Sequence, residues 1–109
     1  MERLVYLLNQ TSSSINEEAG GDADTIRVNS MALIKLRAVL DEISTKAVGN
    51  KKAFDASLKA IKATNLMITA CQCDEELASN ICTVDISQKN YLKKLNRELS
   101  NLRRRLDTF

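Results

Sequence analysis

Apolar side chains recur at alternating intervals of three and four residues in two long segments of this chain. The first segment holds Leu33, Leu36, Leu40, Ile43 and Ala47, and the second holds Leu92, Leu95, Leu99, Leu102, Leu106 and Phe109. Such spacing places the apolar side chains on one stripe of an α-helix. The chain of 109 residues also contains no proline, which would interrupt a helix. Together these features predict an all-α fold.

Five helices are predicted. They cover residues 2–18, 25–48, 51–71, a short acidic segment 74–81 that Asp74 caps, and a C-terminal segment capped by Asp85 or Ser87. The sequence AGGDAD breaks the chain after the first helix, with Asp22 and Asp24 as candidate caps. We therefore divide the chain into an N-terminal segment 1–24, a core 25–82 and a C-terminal helical segment 83–109.

The connection between the second and third helices is only two residues long. Gly49 suits a C-terminal cap of the second helix, and Asn50 suits an N-cap of the third. So short a connection between amphipathic helices predicts an antiparallel hairpin.

Composition excludes several classes of function. The chain lacks histidine, a phosphate-cradling glycine loop, and any serine or cysteine beside a recognisable activating partner, so we expect no enzymatic activity and no cofactor. Cys71, Cys73 and Cys82 lack the spacing and the fourth ligand of a structural zinc site, so we expect no metal. An odd number of cysteines, no membrane-spanning run and no secretory signal predict a cytoplasmic protein.

The net charge of +2 conceals strong segregation along the chain. Residues 31–70 and 91–109 are basic, whereas residues 1–30 and 71–90 are acidic. In the predicted helix 51–71, all four lysines fall within about 100° of the helix circumference. These are Lys51, Lys52, Lys59 and Lys62. Lysines on the outer side of an amphipathic helix commonly just solvate it, but a cluster this compact also suits phosphate binding.

The remaining circumference of that helix has an apolar and a small side. Phe54, Leu58, Ile61, Met67 and Ile68 form the predicted core face. Ala53, Ala56, Ala60 and Ala63 form a small face that permits close approach of another helix. We therefore expect a four-helix-bundle homodimer, in which the alanines contact a second copy of the hairpin. Pairing of the two hairpins would extend the lysine face across both subunits.

The C-terminal leucine stripe has two interpretations. Leu95, Leu99 and Leu102 lie at its centre, and the stripe either self-associates as a coiled coil or folds back on the hairpin; we favour self-association. Arg103, Arg104 and Arg105 flank it, and they either hold phosphate or solubilise the C-terminus and complement the helix dipole.

The order of these segments resembles a known family. The sequences MALIKLRAVLDEISTKAV, AFDASLKAIKATNLMITA and DEELASNI, followed by the leucine stripe, are similar to the RNA-silencing suppressors of insect nodaviruses. The resemblance covers roughly residues 31–82, and less securely extends to residue 106. It departs from the family where Cys73-Asp74 stands in place of a Lys-Pro pair, and residues 1–30 have no counterpart.

The resemblance implies an all-helical dimer that binds double-stranded RNA without sequence preference and shields it from the silencing machinery. Lys59 and Lys62, with Lys52 on the same face, are similar in position to the family's RNA-binding residues. Lys51 shares that face and is a further candidate RNA-binding residue. Additional candidate contacts are Arg37, Arg103, Arg104 and Arg105. Duplex RNA is gripped through phosphates and 2′-hydroxyls, which suits a chain with only 4% aromatic residues for base stacking. The alternative is a coiled-coil adaptor or chaperone that binds a protein partner through the leucine stripe.

Overall fold

The computed structural model describes residues 2–15, 25–70, 72–73, 81–85 and 89–107, which form four helices and three short strands. The helices are α1 (Glu2–Ile15), α2 (Ser30–Lys46), α3 (Lys51–Ala70) and α4 (Lys89–Leu106), and the strands are β1 (Thr25–Asn29), β2 (Gln72–Cys73) and β3 (Ile81–Asp85). Among the side chains that the structure describes, most of the buried apolar ones belong to the helices. The predicted all-α class is therefore confirmed for the body of the protein, and the small sheet is an addition that the apolar spacing did not predict.

Strand β1 occupies the start of the predicted helix 25–48, so the predicted start of that helix is wrong. Thr25, Ile26 and Val28 are β-branched residues that favour extended backbone. Helix α2 instead begins after Asn29, whose backbone is extended and whose side chain accepts a hydrogen bond from the Ala32 amide at 3.1 Å. This N-cap satisfies one of the free amides of the first helical turn.

The sheet has β3 at its centre, with β1 and β2 paired antiparallel on either side. Thr25 lies opposite Asp85 and Asn29 opposite Ile81, while Cys73 of β2 lies opposite Cys82. Because β1 precedes α2 and β2 follows α3, the sheet lies at the open end of the helical hairpin. The predicted short helix 74–81 falls outside the described residues except at Ile81, which is the first residue of β3.

The hairpin between α2 and α3 has the predicted form. The Ala47 amide donates to the Ile43 carbonyl at 2.9 Å, and the Asn50 amide donates to the Ala47 carbonyl at 2.8 Å. The side chain of Asn50 accepts from the Ala53 amide at 3.3 Å, which confirms Asn50 as an N-cap. Helix α2 ends at Lys46, two residues before its predicted end, and Ala47 is its C-cap. The predicted cap at Gly49 is therefore wrong, and Gly49 does not adopt a positive φ.

Gly49→Ala is expected to stabilise the protein by about 0.5 kcal/mol, because alanine restricts the unfolded chain more than glycine does. No atom lies within 4 Å of the position that the new Cβ would take. Urea denaturation followed by circular dichroism measures the change. A loss of stability would show that the turn needs a backbone conformation that only glycine adopts.

Helix α1 packs against α2 and belongs to the same core as the hairpin. Leu4, Leu8 and Ile15 are buried. The serine- and threonine-rich end of α1 is helical in the structure, and its hydroxyls donate to carbonyls one turn earlier, as Thr11 does to Leu7 at 2.8 Å. Residues 16–18 of the predicted first helix, and the candidate caps Asp22 and Asp24, lie outside the described residues.

Helix α3 packs between α2 and α4, and its alanines form its buried face. Ala53 and Ala60 are fully buried, whereas Leu58 is 45% exposed. Phe54 and Ile61, which the sequence predicted as core, are only partly buried at the edge of the core. The face predicted to be small is therefore the buried one, and part of the face predicted as core lies at the surface. The small side chains allow two neighbouring helices to approach α3 closely. The alanines are consequently occupied within the chain and do not supply the expected dimer surface.

Helix α4 folds back on α3, so the favoured self-association of the leucine stripe is not the arrangement in the structure. Leu95 and Leu102 are fully buried, and Leu99 is 1% exposed. The alternative interpretation, packing on the hairpin within one chain, is the one observed. Phe109, the last residue of the stripe, lies outside the described residues.

Candidate nucleic-acid interface

The four predicted lysines all lie exposed on the outer surface of α3. Lys51 and Lys62 are separated by eleven residues, which corresponds to about 16 Å along a helix axis. The alanines in the adjacent sector of α3 are buried and hold the helix against its neighbours, so the lysines project from a packed helix. The four lysines are thus exposed on one helix, as helical phase predicted, and their role in RNA binding stays a prediction.

A groove of about 350 Å³ extends this lysine surface onto α4. Lys52 and Lys59 lie on its α3 side, and Arg105 lies on its α4 side. Its remaining lining residues are Asp55, Ala56, Glu98 and Asn101. Three cationic and two acidic side chains therefore meet along one channel, whose lining is charged, amide or alanine rather than aromatic.

Glu98 is the unexpected member of the groove. It is only 9% exposed, although ionised carboxylates are seldom buried. The Arg97 Nε lies 3.9 Å from its Oε1, which is too long for a hydrogen bond. Lys52, Lys59 and Arg105 line the same groove as this carboxylate. Its acidic charge also limits how strongly the groove attracts anions.

The sequence analysis did not select Glu98 or Asn101. Helical phase puts Glu98 about 70° from the centre of the leucine stripe, at the border of the buried face of α4, and Asn101 about 130° from that centre. What phase could not show is that α3 supplies the opposite wall, because that depends on α4 folding back.

The three consecutive arginines separate into different environments. Arg104 and Arg105 are exposed, and Arg104 donates a hydrogen bond to Asn101 Oδ1. Arg103 is half-buried: its Nη2 donates to Ser12 Oγ of α1 at 2.6 Å. Its Nε is also buried, without a hydrogen-bond partner among the described residues. Arg103 therefore joins α1 to α4, and we do not retain it as an RNA contact.

Ser12→Ala is expected to destabilise the protein by about 1–2 kcal/mol, because it leaves a half-buried guanidinium without its acceptor. Chemical denaturation gives the change in the free energy of unfolding. Ser13→Ala is the matched control, since Ser13 is exposed and its hydroxyl donates to the Asn9 carbonyl of its own helix at 3.0 Å. Equal effects of the two substitutions would contradict a structural role for the Arg103–Ser12 contact.

Arg37 is exposed on α2, apart from the groove between α3 and α4. The groove brings Lys52 and Lys59 beside Arg105. Arg104 lines a smaller recess with Arg105, and Lys51 and Lys62 are exposed on the same helix as the other two lysines. We name this set the basic surface; it consists of Lys51, Lys52, Lys59, Lys62, Arg104 and Arg105.

The described residues contain no group of three or more histidine, cysteine, aspartate or glutamate side chains that could hold a metal ion. None of the described helices is both long enough and apolar enough to cross a membrane. No protein-family model, curated protein or solved structure matches this chain. The function is therefore argued from the geometry and charge of the basic surface.

Proposed function

We propose that this protein binds double-stranded RNA without sequence preference and thereby shields the duplex from the silencing machinery. The observation that carries the proposal is the exposure of four lysines along about 16 Å of α3, continued across the groove by Arg105. A rigid row of cations suits the phosphates of a duplex, which carry most of the affinity in sequence-independent binding.

Duplex RNA is favoured over single-stranded nucleic acid as the ligand. Single strands are generally held by stacking of bases on aromatic side chains. The groove beside the lysines is lined by charged side chains, an amide and an alanine. A-form RNA presents phosphates and 2′-hydroxyls that such side chains recognise without reading bases.

Fluorescence anisotropy with duplex RNA, single-stranded RNA and duplex DNA of equal length tests the proposal. We expect the tightest binding for duplex RNA and a steep loss of affinity with salt. Five phosphate contacts would give a slope of log K against log salt of roughly −4 to −5, at about 0.9 per contact. No binding of duplex RNA at about 150 mM salt, where exposed charges are only partly screened, would overturn the proposal.

The shielding step is a separate proposal, which the resemblance to silencing suppressors supports. We expect the protein to protect a long duplex RNA from cleavage by a purified ribonuclease III enzyme. Protection should require an excess of protein over binding sites on the RNA. Tight binding without protection would retain RNA binding and remove the role in silencing.

A homodimer also belongs to this proposal, because a second copy would lengthen the short lysine row. The alanine face no longer supports it, since those side chains are buried within the chain. Sedimentation velocity measures the mass of the species in solution. Twice the chain mass of 12.1 kDa would support a dimer, and the mass of a single chain would contradict it.

The leucine stripe of α4, through which a coiled-coil adaptor would bind its partner, is buried in this structure. Leu95, Leu99 and Leu102 would have to contact the protein partner, but they are buried against the rest of the chain. A partner could reach them only if α4 detached from α3, at the cost of exposing these leucines to water.

A further inference from the structure

The three cysteines hold different positions relative to the sheet. Cys73 is the last residue of β2, and the antiparallel register places it directly opposite Cys82 of β3. Cys71 precedes β2 by one residue and lies outside the described residues. The sequence spacing alone gives no reason to join Cys73 rather than Cys71 to Cys82. The strand register does.

Directly opposed residues on antiparallel strands have Cα atoms about 4.5 or 5.5 Å apart, according to their place in the hydrogen-bond ladder. Disulfides join cysteines whose Cα atoms are about 4.4–6.8 Å apart. Both types of opposed pair therefore fall within the disulfide range. We propose that Cys73 and Cys82 are a modification site, at which a reversible intrachain disulfide forms by exchange with a small-molecule disulfide such as oxidised glutathione.

The exchange proceeds in two thiol–disulfide steps. One cysteine thiolate attacks oxidised glutathione, forms a mixed disulfide and releases one glutathione thiolate. The second cysteine then attacks the protein sulfur of that mixed disulfide and releases the other glutathione thiolate. The two protein thiols lose two protons and two electrons in total, and oxidised glutathione becomes two reduced molecules.

The disulfide would close a loop between the strand that follows α3 and the strand that precedes α4. Closing a loop in this way constrains the unfolded chain and stabilises the folded state. In the reduced state the antiparallel pairing of β2 with β3 makes this connection. This inference is independent of RNA binding, because it rests on the sheet register and not on the basic surface.

The full-length protein is equilibrated with mixtures of reduced and oxidised glutathione, quenched with an alkylating reagent and weighed intact by mass spectrometry. We expect a single chain in which one cysteine is alkylated and the other two form a disulfide. The disulfide lowers the mass by two hydrogens relative to two free thiols. Proteolysis at Asp74, Glu75 or Glu76 separates Cys71 and Cys73 from Cys82, so a linked peptide pair shows that Cys82 is bridged to one of these two cysteines. The oxidised form should also unfold at a temperature several degrees higher.

Single substitutions assign the partner. Cys71→Ser should still form the intrachain bridge at the same glutathione ratio, because it retains both opposed cysteines. Cys73→Ser should leave Cys82 alkylated or in a mixed disulfide with glutathione. A bridge from Cys71 to Cys82, a disulfide only between chains, or a bridge that forms only in denaturant would each overturn the inference. The wild-type and Cys71→Ser measurements decide the matter even if Cys73→Ser does not fold.

Discussion

Replacing Lys59 and Lys62 together by glutamate is expected to weaken binding to duplex RNA by at least roughly a hundredfold. Each substitution removes a charge-assisted contact worth about 1.5 kcal/mol or more, and each places a negative charge against phosphate. The slope of log K against log salt should also become shallower by about two. Both lysines are exposed, so the circular dichroism spectrum and the unfolding midpoint should change little.

The matched control is Lys35→Glu combined with Lys46→Glu. Both lysines are exposed on α2, and Lys35 lies beside α1 rather than α3. The control changes the net charge by the same amount, so it separates a local contact from a general charge effect. Equal losses of affinity in the two double variants would contradict the basic surface as the RNA-binding site and indicate non-specific attraction.

Leu99→Ala is expected to destabilise the protein by about 2–5 kcal/mol, whereas Leu58→Ala should change its stability by less than about 0.5 kcal/mol. Leu99 is 1% exposed in the contact of α4 with the rest of the core, and its truncation leaves a cavity. Leu58 is 45% exposed, so its truncation removes less buried apolar surface than that of Leu99. Urea denaturation measures both changes in the free energy of unfolding.

The same pair of variants tests whether the leucine stripe packs within one chain. Intrachain packing predicts a loss of stability that does not depend on protein concentration, because folding then involves no association. A midpoint that rises with protein concentration would indicate that the stripe pairs between chains. A larger effect at Leu58 than at Leu99 would show that the sequence-predicted core face of α3 was right after all.

Local patterns in the sequence were sufficient to predict most of the helices and one connection. Helix α3 begins and ends within one residue of its predicted bounds, and Asn50 caps it as its short polar side chain indicated. These features depend on neighbours in sequence: apolar spacing, capping side chains and the shortness of the connection. The exposure of the four lysines followed from helical phase for the same reason.

The orientation of α3 could not be predicted from its own sequence. Its alanines and its larger apolar residues occupy adjacent sectors, and either sector can face a core. The choice depends on α4, which approaches α3 closely where the side chains are small. That contact joins segments far apart in sequence, so no local window contains the information. Strand β1 was missed similarly, because its partner β3 lies more than fifty residues further along the chain.

Arg103 shows that part of the error was avoidable. The sequence RRR presents three identical side chains, but Arg103 directly follows Leu102 and lies one turn after Leu99. At 100° per residue it therefore falls beside the leucine stripe, whereas Arg104 points away from it. Helical phase predicts its partial burial; only its partner, Ser12 on the distant α1, required the structure.

The position of the sheet has a consequence for the order in which the chain folds. The α2–α3 hairpin involves contacts between neighbouring segments, whereas pairing of β1 with β3 encloses the whole hairpin. Closure of such a long loop costs chain entropy. Contacts that form earlier within the hairpin reduce this cost. We therefore expect the hairpin to form before the strands meet, and the amides of β1 and β3 to exchange with solvent through openings that leave α2 and α3 intact. Pairing of β1 with β3 would then be a late step in folding, after the hairpin that lies between these strands has formed.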